Sequence, residues 1–268
     1  MNTGIIGYGS MGRMLLEKFA DSGIAPDNLF VSNRTQEKLA DIRGRATVCT
    51  RSAEVAAGSD IIFICVRPAD IRTVLEDIRD NLKEESLIVS LNGSITFDQL
   101  GKIVKHRMAK AIPSVTAEIG RSQTLVCFNE LAGPEDQTAL RQLLGTVGNV
   151  IELPENEMGM GSELVSCMPG FIAAIFDVLC REAGKHTDIP DSQVINMVLN
   201  TVYATGELML TKQMSFEDVV SRVATKGGIT EEGTKVIYDL FPEAAGRLFE
   251  NTLEKRKLTA ERAEAYFR

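Results

Sequence analysis

Histidine is scarce in this chain of 268 residues: there are two, His106 and His186. Neither has a partner ligand three or four residues on, so no dedicated metal site is expected. Cysteine is also sparse. The five (Cys49, Cys65, Cys127, Cys167, Cys180) are odd in number and scattered, and none forms a C-x-x-C pair. That usage fits a reducing compartment, and four of them lie in apolar surroundings where they pack as small hydrophobes. Long apolar runs are missing too. "IIFICV" (61–66) is strand-sized, and no run approaches the roughly 20 residues of a membrane span. Positive charge is not in excess. The net charge of -8 argues against nucleic acid or an acidic membrane surface as main partner. The N-terminus enters "GIIG" with no basic region or small-residue cleavage site, so a cytoplasmic location is expected.

What is present is an ordinary globular balance, 44% hydrophobic and 25% charged. The first half alternates strand and helix signals. "GIIG" (4–7) is a strand closing on glycine, and "SMGRMLLEKFADSG" (10–23) has apolar residues at helical spacing. "LFVS" (29–32), "SDIIFICVRP" (59–68), "LIVSL" (87–91), "TLVCF" (124–128) and "VIEL" (150–153) read as further strands. A continuously apolar strand stopped by proline suits a parallel sheet covered on both faces. Thr96 and Gln99 form a capping box that opens a helix. Beyond about residue 155 strand signals cease. Long helices are expected over 169–184 and 191–211, a third behind the box Ser215/Asp218, and two more after the Gly-Gly stretch of "ATKGGITEEG" (224–233). The fold class is therefore α/β: a doubly wound sheet over 1–154, then an all-helical part over 155–268. The second part is apolar on more faces than a small helical domain needs, which points to a subunit interface.

"GYGSMG" (7–12) supplies G-x-G-x-x-G directly after the first strand and at the opening of a helix. Gly7 permits the tight turn, Gly9 lets a pyrophosphate approach the backbone, and Gly12 lets the helix sit on the sheet. The phosphates then meet the positive helix end near Ser10 and Met11. This is the Rossmann fingerprint of a dinucleotide site. At the end of the second strand an NAD enzyme places an acid, whereas this chain has "SNRT" (32–35). Asn33 and Arg34 offer donors, and Arg34 can neutralise a 2′-phosphate, so NADPH is favoured over NADH. In "CVRP" (65–68), Val66, Arg67 and Pro68 end another strand, where such sheets bind ligands. Arg67 is either a cofactor contact or a surface arginine beside a turn proline.

The chain resembles the pyrroline-5-carboxylate reductase family over nearly its whole length. The likeness rests on GYGSMG, SNR, CVRP, "AIPSVTAEIG" (111–120), "VSCMPGF" (165–171) and "VATKGGIT" (223–230), in family order and spacing. The departures fall in the best-kept motifs. Ser114 stands for Asn, Cys167 for Ser, Met168 for Gly and Lys226 for Pro, a pattern closer to the competence-operon branch. The resemblance implies a helical dimerisation domain and a homodimer or ring of dimers. It implies cofactor contacts from Asn92, Pro113 and Ser114, and a substrate loop of Thr225, Lys226, Gly227, Gly228 and Thr230, with the Thr230 hydroxyl reaching the imine nitrogen. The implied reaction is hydride transfer from NADPH to the C=N carbon of a small cyclic imino acid, with pyrroline-5-carboxylate giving proline.

From the residues alone, the Gly-Gly stretch also fits a plain turn with Thr230 as helix cap. Cys167 has no nearby histidine to activate it. "FIAAIFDVLCREAG" (171–184) contains no lysine, against the Lys-x-x-x-Asn pattern of the 3-hydroxyacid dehydrogenases. Two alternatives stay open: a non-catalytic NADP-binding regulatory protein, and a reductase of another imine or carbonyl compound.

Overall fold

The computed structural model describes residues 1–42 and 44–267. Eight strands form one sheet in the order β3-β2-β1-β4-β5-β6-β7-β8. They are β1 (Thr3–Ile6), β2 (Leu29–Ser32), β3 (Thr47–Val48), β4 (Ile61–Ile64), β5 (Leu87–Ser90), β6 (Met108–Ile112), β7 (Ser122–Phe128) and β8 (Gly148–Glu152). The helices among them are α1 (Ser10–Asp21), α2 (Ser52–Gly58), α3 (Pro68–Ile78), α4 (Phe97–Gly101) and α5 (Pro134–Gly145).

The apolar runs are continuous because the central strands are covered on both sides. Ile61 and Phe63 of β4 join one buried cluster with Leu15, Leu16 and Phe19 of α1. Ile62 and Ile64 join the other, with Val55 of α2 and Ile71, Leu75 and Ile78 of α3. Alternate residues point to opposite faces, so both kinds of neighbour need apolar partners. Each such side chain contributes roughly 1.5–3 kcal/mol of burial. Both capping boxes form. Thr96 Oγ1 accepts from Gln99 N–H at 3.2 Å and Ser215 Oγ from Asp218 N–H at 3.1 Å.

Five features differ from the sequence expectation. The sheet is not wholly parallel, because β6 and β7 pair antiparallel. They are joined by a short turn, Val115–Ile119, closed by Gly120 at φ 68°, and a parallel crossover needs a dozen residues or more. Strand β6 itself ("MAKAI") was not expected, because Lys110 interrupts its apolar pattern. Lys110 is nonetheless 1% exposed. It pairs with Glu155 and lies 5.1 Å from the centre of the Phe97 ring. The two-residue β3 was missed as well.

The remaining helices are α6 (Met158–Ser162), α7 (Met168–Gly184), α8 (Asp191–Lys212), α9 (Phe216–Val223) and α10 (Ile229–Glu264). The two helices expected at the end are one. Helix α10 runs for 36 residues with Pro242 inside. A proline costs an interior helix about 3 kcal/mol, and the turns on either side outweigh it. Finally, the 3-10 turn Glu155–Glu157, α6, the π turn Glu163–Cys167 and α7 form a stretch, Glu155–Gly184, long and apolar enough by length and composition to cross a bilayer. Reading unbroken runs alone missed it, because Glu163 and small residues interrupt its first turns.

Contacts divide the chain into two compact units. One comprises Met1–Pro169 and the segment from Leu253 onward; the other is Gly170–Thr252. Within the first, Arg256 of α10 binds the π turn. Its Nη2 donates to Glu163 Oε1 at 2.6 Å and to Ser162 Oγ at 3.1 Å. The second unit has one buried large apolar residue, Val194. Ile195, Met197, Leu199, Tyr203, Ile237 and Leu240 are among its exposed ones.

Candidate active site: a dinucleotide cleft and a Gly-Gly loop

The first unit carries a cleft of about 880 Å³ at the carboxyl ends of β1, β2 and β4. Of the residues expected to hold a cofactor, Gly7, Gly9, Asn33, Arg34, Val66 and Arg67 line it. Two glycines of the fingerprint, Gly7 and Gly12, answer to a constraint within the chain. Gly7 has φ +100°, and a Cβ there would lie 2.7 Å from Cys65 O. A Cβ on Gly12 would come within 2.0 Å of Gly7 O, so only glycine lets α1 approach the turn. Gly9, the N-cap of α1, has nothing within 4 Å of such a Cβ. The first turn of α1, from Ser10 and Met11, holds no acidic residue. The positive end of the helix is thus left for an anion. The cleft fits a dinucleotide phosphate.

Asn33 has partners within the chain as well. Its Oδ1 accepts from Tyr8 N–H at 3.0 Å and its Nδ2 donates to Thr35 O at 2.8 Å. Both ends of the amide are used in tying the β2 loop to the glycine turn. Arg34 is exposed. Its Nη1 lies 3.5 Å from Asp70 Oδ1, while Arg67 Nε lies 3.3 Å from Asp70 Oδ2. Asp70, in the first turn of α3 behind Pro68, was not singled out from the sequence. Neither were Tyr8, Lys38 and Thr50–Ser52, which also line the cleft.

Of the other expected cofactor residues, Ser10, Met11, Gly12 and Pro68 adjoin lining residues without lining the cleft themselves, and Asn92, Pro113 and Ser114 lie at the ends of β5 and β6. Asn92 Oδ1 accepts from Ser94 N–H at 2.9 Å. Ser114, following Pro113, is 2% exposed, and its hydroxyl accepts from Thr116 N–H at 3.4 Å. Cys167 is no activated nucleophile. Burial, then the Glu163 carboxylate, push its thiol above the usual range. Burial pushes Cys65, beside the glycine turn, up to about 12.

The Gly-Gly loop belongs to the second unit. Gly227 has φ +72°, and a Cβ on Gly228 would strike Thr225 Oγ1 at 2.6 Å. Both glycines are therefore required by the turn itself. Gly228 N–H donates to Thr225 O at 2.8 Å, and Gly227 N–H to Glu231 Oε2 at 2.6 Å. These two donors are thus engaged within the chain. Thr230 is exposed, in the first turn of α10.

Pyrroline-5-carboxylate reductase 3 of Bacillus subtilis is 32% identical to this chain over 262 residues, 96% of either protein. The chain belongs to the pyrroline-5-carboxylate reductase family. It is thereby an NAD(P)H-dependent oxidoreductase. The family model for pyrroline-5-carboxylate reductase dimerisation matches residues 155–258 of this reductase. A second, described as NADP oxidoreductase, coenzyme F420-dependent, matches residues 2–93. ComE operon protein 4 of the same Bacillus is 28% identical, with 94% of each chain covered. The fold is that of the Plasmodium falciparum pyrroline carboxylate reductase solved with NADP bound. The TM-score is 0.84 at 21% identity, covering 100% of this chain and 98% of that one. The dimerisation match spans the helices whose apolar faces stand exposed, surface of a kind that marks an interaction site.

Proposed function

We propose that this reductase uses NADPH to reduce the C=N bond of a small cyclic imino acid, converting pyrroline-5-carboxylate to proline. The observation that carries the reading is the 32% identity, extended over 96% of both chains, to a protein named for that substrate. On this reading residues 1–154 hold the dinucleotide, and residues 155–268 supply the substrate loop and subunit contact. The protein works in the cytoplasm as a homodimer or ring of dimers.

NADPH supplies the hydride. The chain's residues bind and orient. Gly7, Gly9, Ser10, Met11 and Gly12 receive the pyrophosphate at the α1 terminus. Arg34 neutralises the 2′-phosphate, on a loop that Asn33 holds in place. Val66 and Arg67 bound the cleft, Pro68 follows them as the first residue of α3, and Asn92, Pro113 and Ser114 lie on the nicotinamide side. Thr225, Lys226, Gly227, Gly228 and Thr230 take the substrate, whose carboxylate displaces Glu231 from Gly227 N–H. The Thr230 hydroxyl accepts a hydrogen bond from the protonated imine nitrogen and fixes the C=N carbon for attack. No strong acid or base is needed, which suits a chain with two histidines.

The test is NADPH oxidation by purified protein with pyrroline-5-carboxylate. Thr230→Ala should lower kcat about 10- to 100-fold, a loss of roughly 1.4–2.7 kcal/mol, and leave NADPH affinity unchanged. NADPH binding without turnover would sink the substrate assignment. It would favour a regulatory protein or a reductase of another imine, a second reading supported by Glu231 on Gly227 N–H and by the likeness to ComE operon protein 4.

A further inference from the structure

We infer that Asp70 is a specificity-determining residue for the dinucleotide: it holds Arg34 and Arg67 when no 2′-phosphate is present and competes with that phosphate for Arg34. The inference rests on the NADPH reading above and adds a residue to it. A 2′-phosphate carries the charge that an arginine at the end of β2 can accommodate. In this chain that arginine already has an anionic partner. One Asp70 carboxylate oxygen lies 3.5 Å from Arg34 Nη1 and the other 3.3 Å from Arg67 Nε. All three side chains line the same cleft.

The fold places the acid there for local reasons as well. Arg67 is the N-cap of α3 and Pro68 its first residue. Asp70 N–H donates to Arg67 O at 2.9 Å, so the carboxylate sits in the first turn, where an acid is favoured. From there it reaches across to a residue 36 positions earlier in the chain. The contacts are long, and the arginine side chains are 79% and 75% exposed. Such pairs are weak in water, so a dianionic phosphate can exchange with the carboxylate. The carboxylate that remains repels the phosphate and tempers its affinity. NADH, with hydroxyls in that place, meets no such repulsion.

The experiment measures Kd for NADPH and for NADH by titrating the full-length protein, as wild type, Asp70→Asn, Arg34→Gln and the double variant. Asp70→Asn is expected to tighten NADPH about 5-fold and to change NADH less than 2-fold. Arg34→Gln should weaken NADPH alone. In the Arg34→Gln background the Asp70→Asn gain should shrink, because the competition for Arg34 is gone and only the direct repulsion of the phosphate is left to relieve. Thermal melting of each variant, with Asp70→Ser as a second helix-capping substitution, separates an altered α3 from altered recognition. Equal shifts for both nucleotides would assign Asp70 to helix capping and overturn the inference. So would an NADPH preference that depends on Arg34 but not on Asp70, which leaves the NADPH reading intact. A wild type without NADPH preference and indifferent to Arg34→Gln would overturn both.

Discussion

Tyr8 N–H donates to the Asn33 side chain at 3.0 Å, joining the glycine turn after β1 to the loop after β2. These are the two segments that a dinucleotide must touch at once. Their mutual position is set by the backbone bond from Gly7 N–H to Ser32 O at 2.9 Å and by this one amide, whose other end grips Thr35 O. Replacing Asn33 with Ala removes both bonds, each worth about 0.5–1.5 kcal/mol. NADPH and NADH should both bind roughly 5- to 30-fold more weakly in Asn33→Ala, measured by fluorescence titration. A loss confined to NADPH would mean that Asn33 contacts the 2′-phosphate directly.

Gly9 and Gly12 should fail in different ways. At Gly9 the chain itself leaves room for a methyl group. Gly9→Ala is expected to melt within a few degrees of wild type while losing nucleotide affinity by at least 10-fold. At Gly12 a Cβ would sit 2.0 Å from Gly7 O, so α1 must lift from the sheet. Gly12→Ala should lose about 1–3 kcal/mol of stability, the usual cost of overpacking, together with binding. Urea unfolding read beside nucleotide titration distinguishes the two.

Glu231 holds Gly227 N–H at 2.6 Å. If a substrate carboxylate must take that donor, the glutamate opposes it twice, by occupancy and by charge. Glu231→Gln should lower KM for pyrroline-5-carboxylate several-fold and leave KM for 1-pyrroline, which lacks the carboxylate, unchanged. Equal effects on both compounds would reduce Glu231 to a helix cap.

The Glu163–Arg256 pair should be costly to break. The Glu163 side chain is 2% exposed and that of Arg256 23%. Glu163 Oε2 has no hydrogen-bond partner, so the carboxylate depends on Arg256 for compensation. Arg256→Ala is expected to destabilise the fold by about 3–5 kcal/mol in chemical unfolding. Arg256→Met combined with Glu163→Leu should recover most of that, since two apolar groups leave no buried charge behind.

The parts legible in the sequence are those governed by near neighbours. Apolar strands, both capping boxes and the three fingerprint glycines follow from local spacing. The misses come from partners distant in the chain. Strand β6 reads as broken at Lys110 until Glu155 and Phe97 are brought to it. Asn33 gives no sign in the sequence of its tie to Tyr8. Asp70 gives no sign of Arg34, because the pair closes only when β2 and α3 meet over one cleft. The unity of α10 was hidden by Pro242, whose local preference for a break yields to the long helix around it.

The two ends of the sheet limit how chains can aggregate. At one end β3 is two residues long, too short to template an added strand. At the other, β8 carries Glu152 in an ion pair with Arg141 of α5, and charge at a sheet edge discourages strand addition. Neither end invites a neighbour to extend the ladder. Misassembly at high concentration should therefore run through the apolar helices and give amorphous material without the 4.7 Å cross-β spacing.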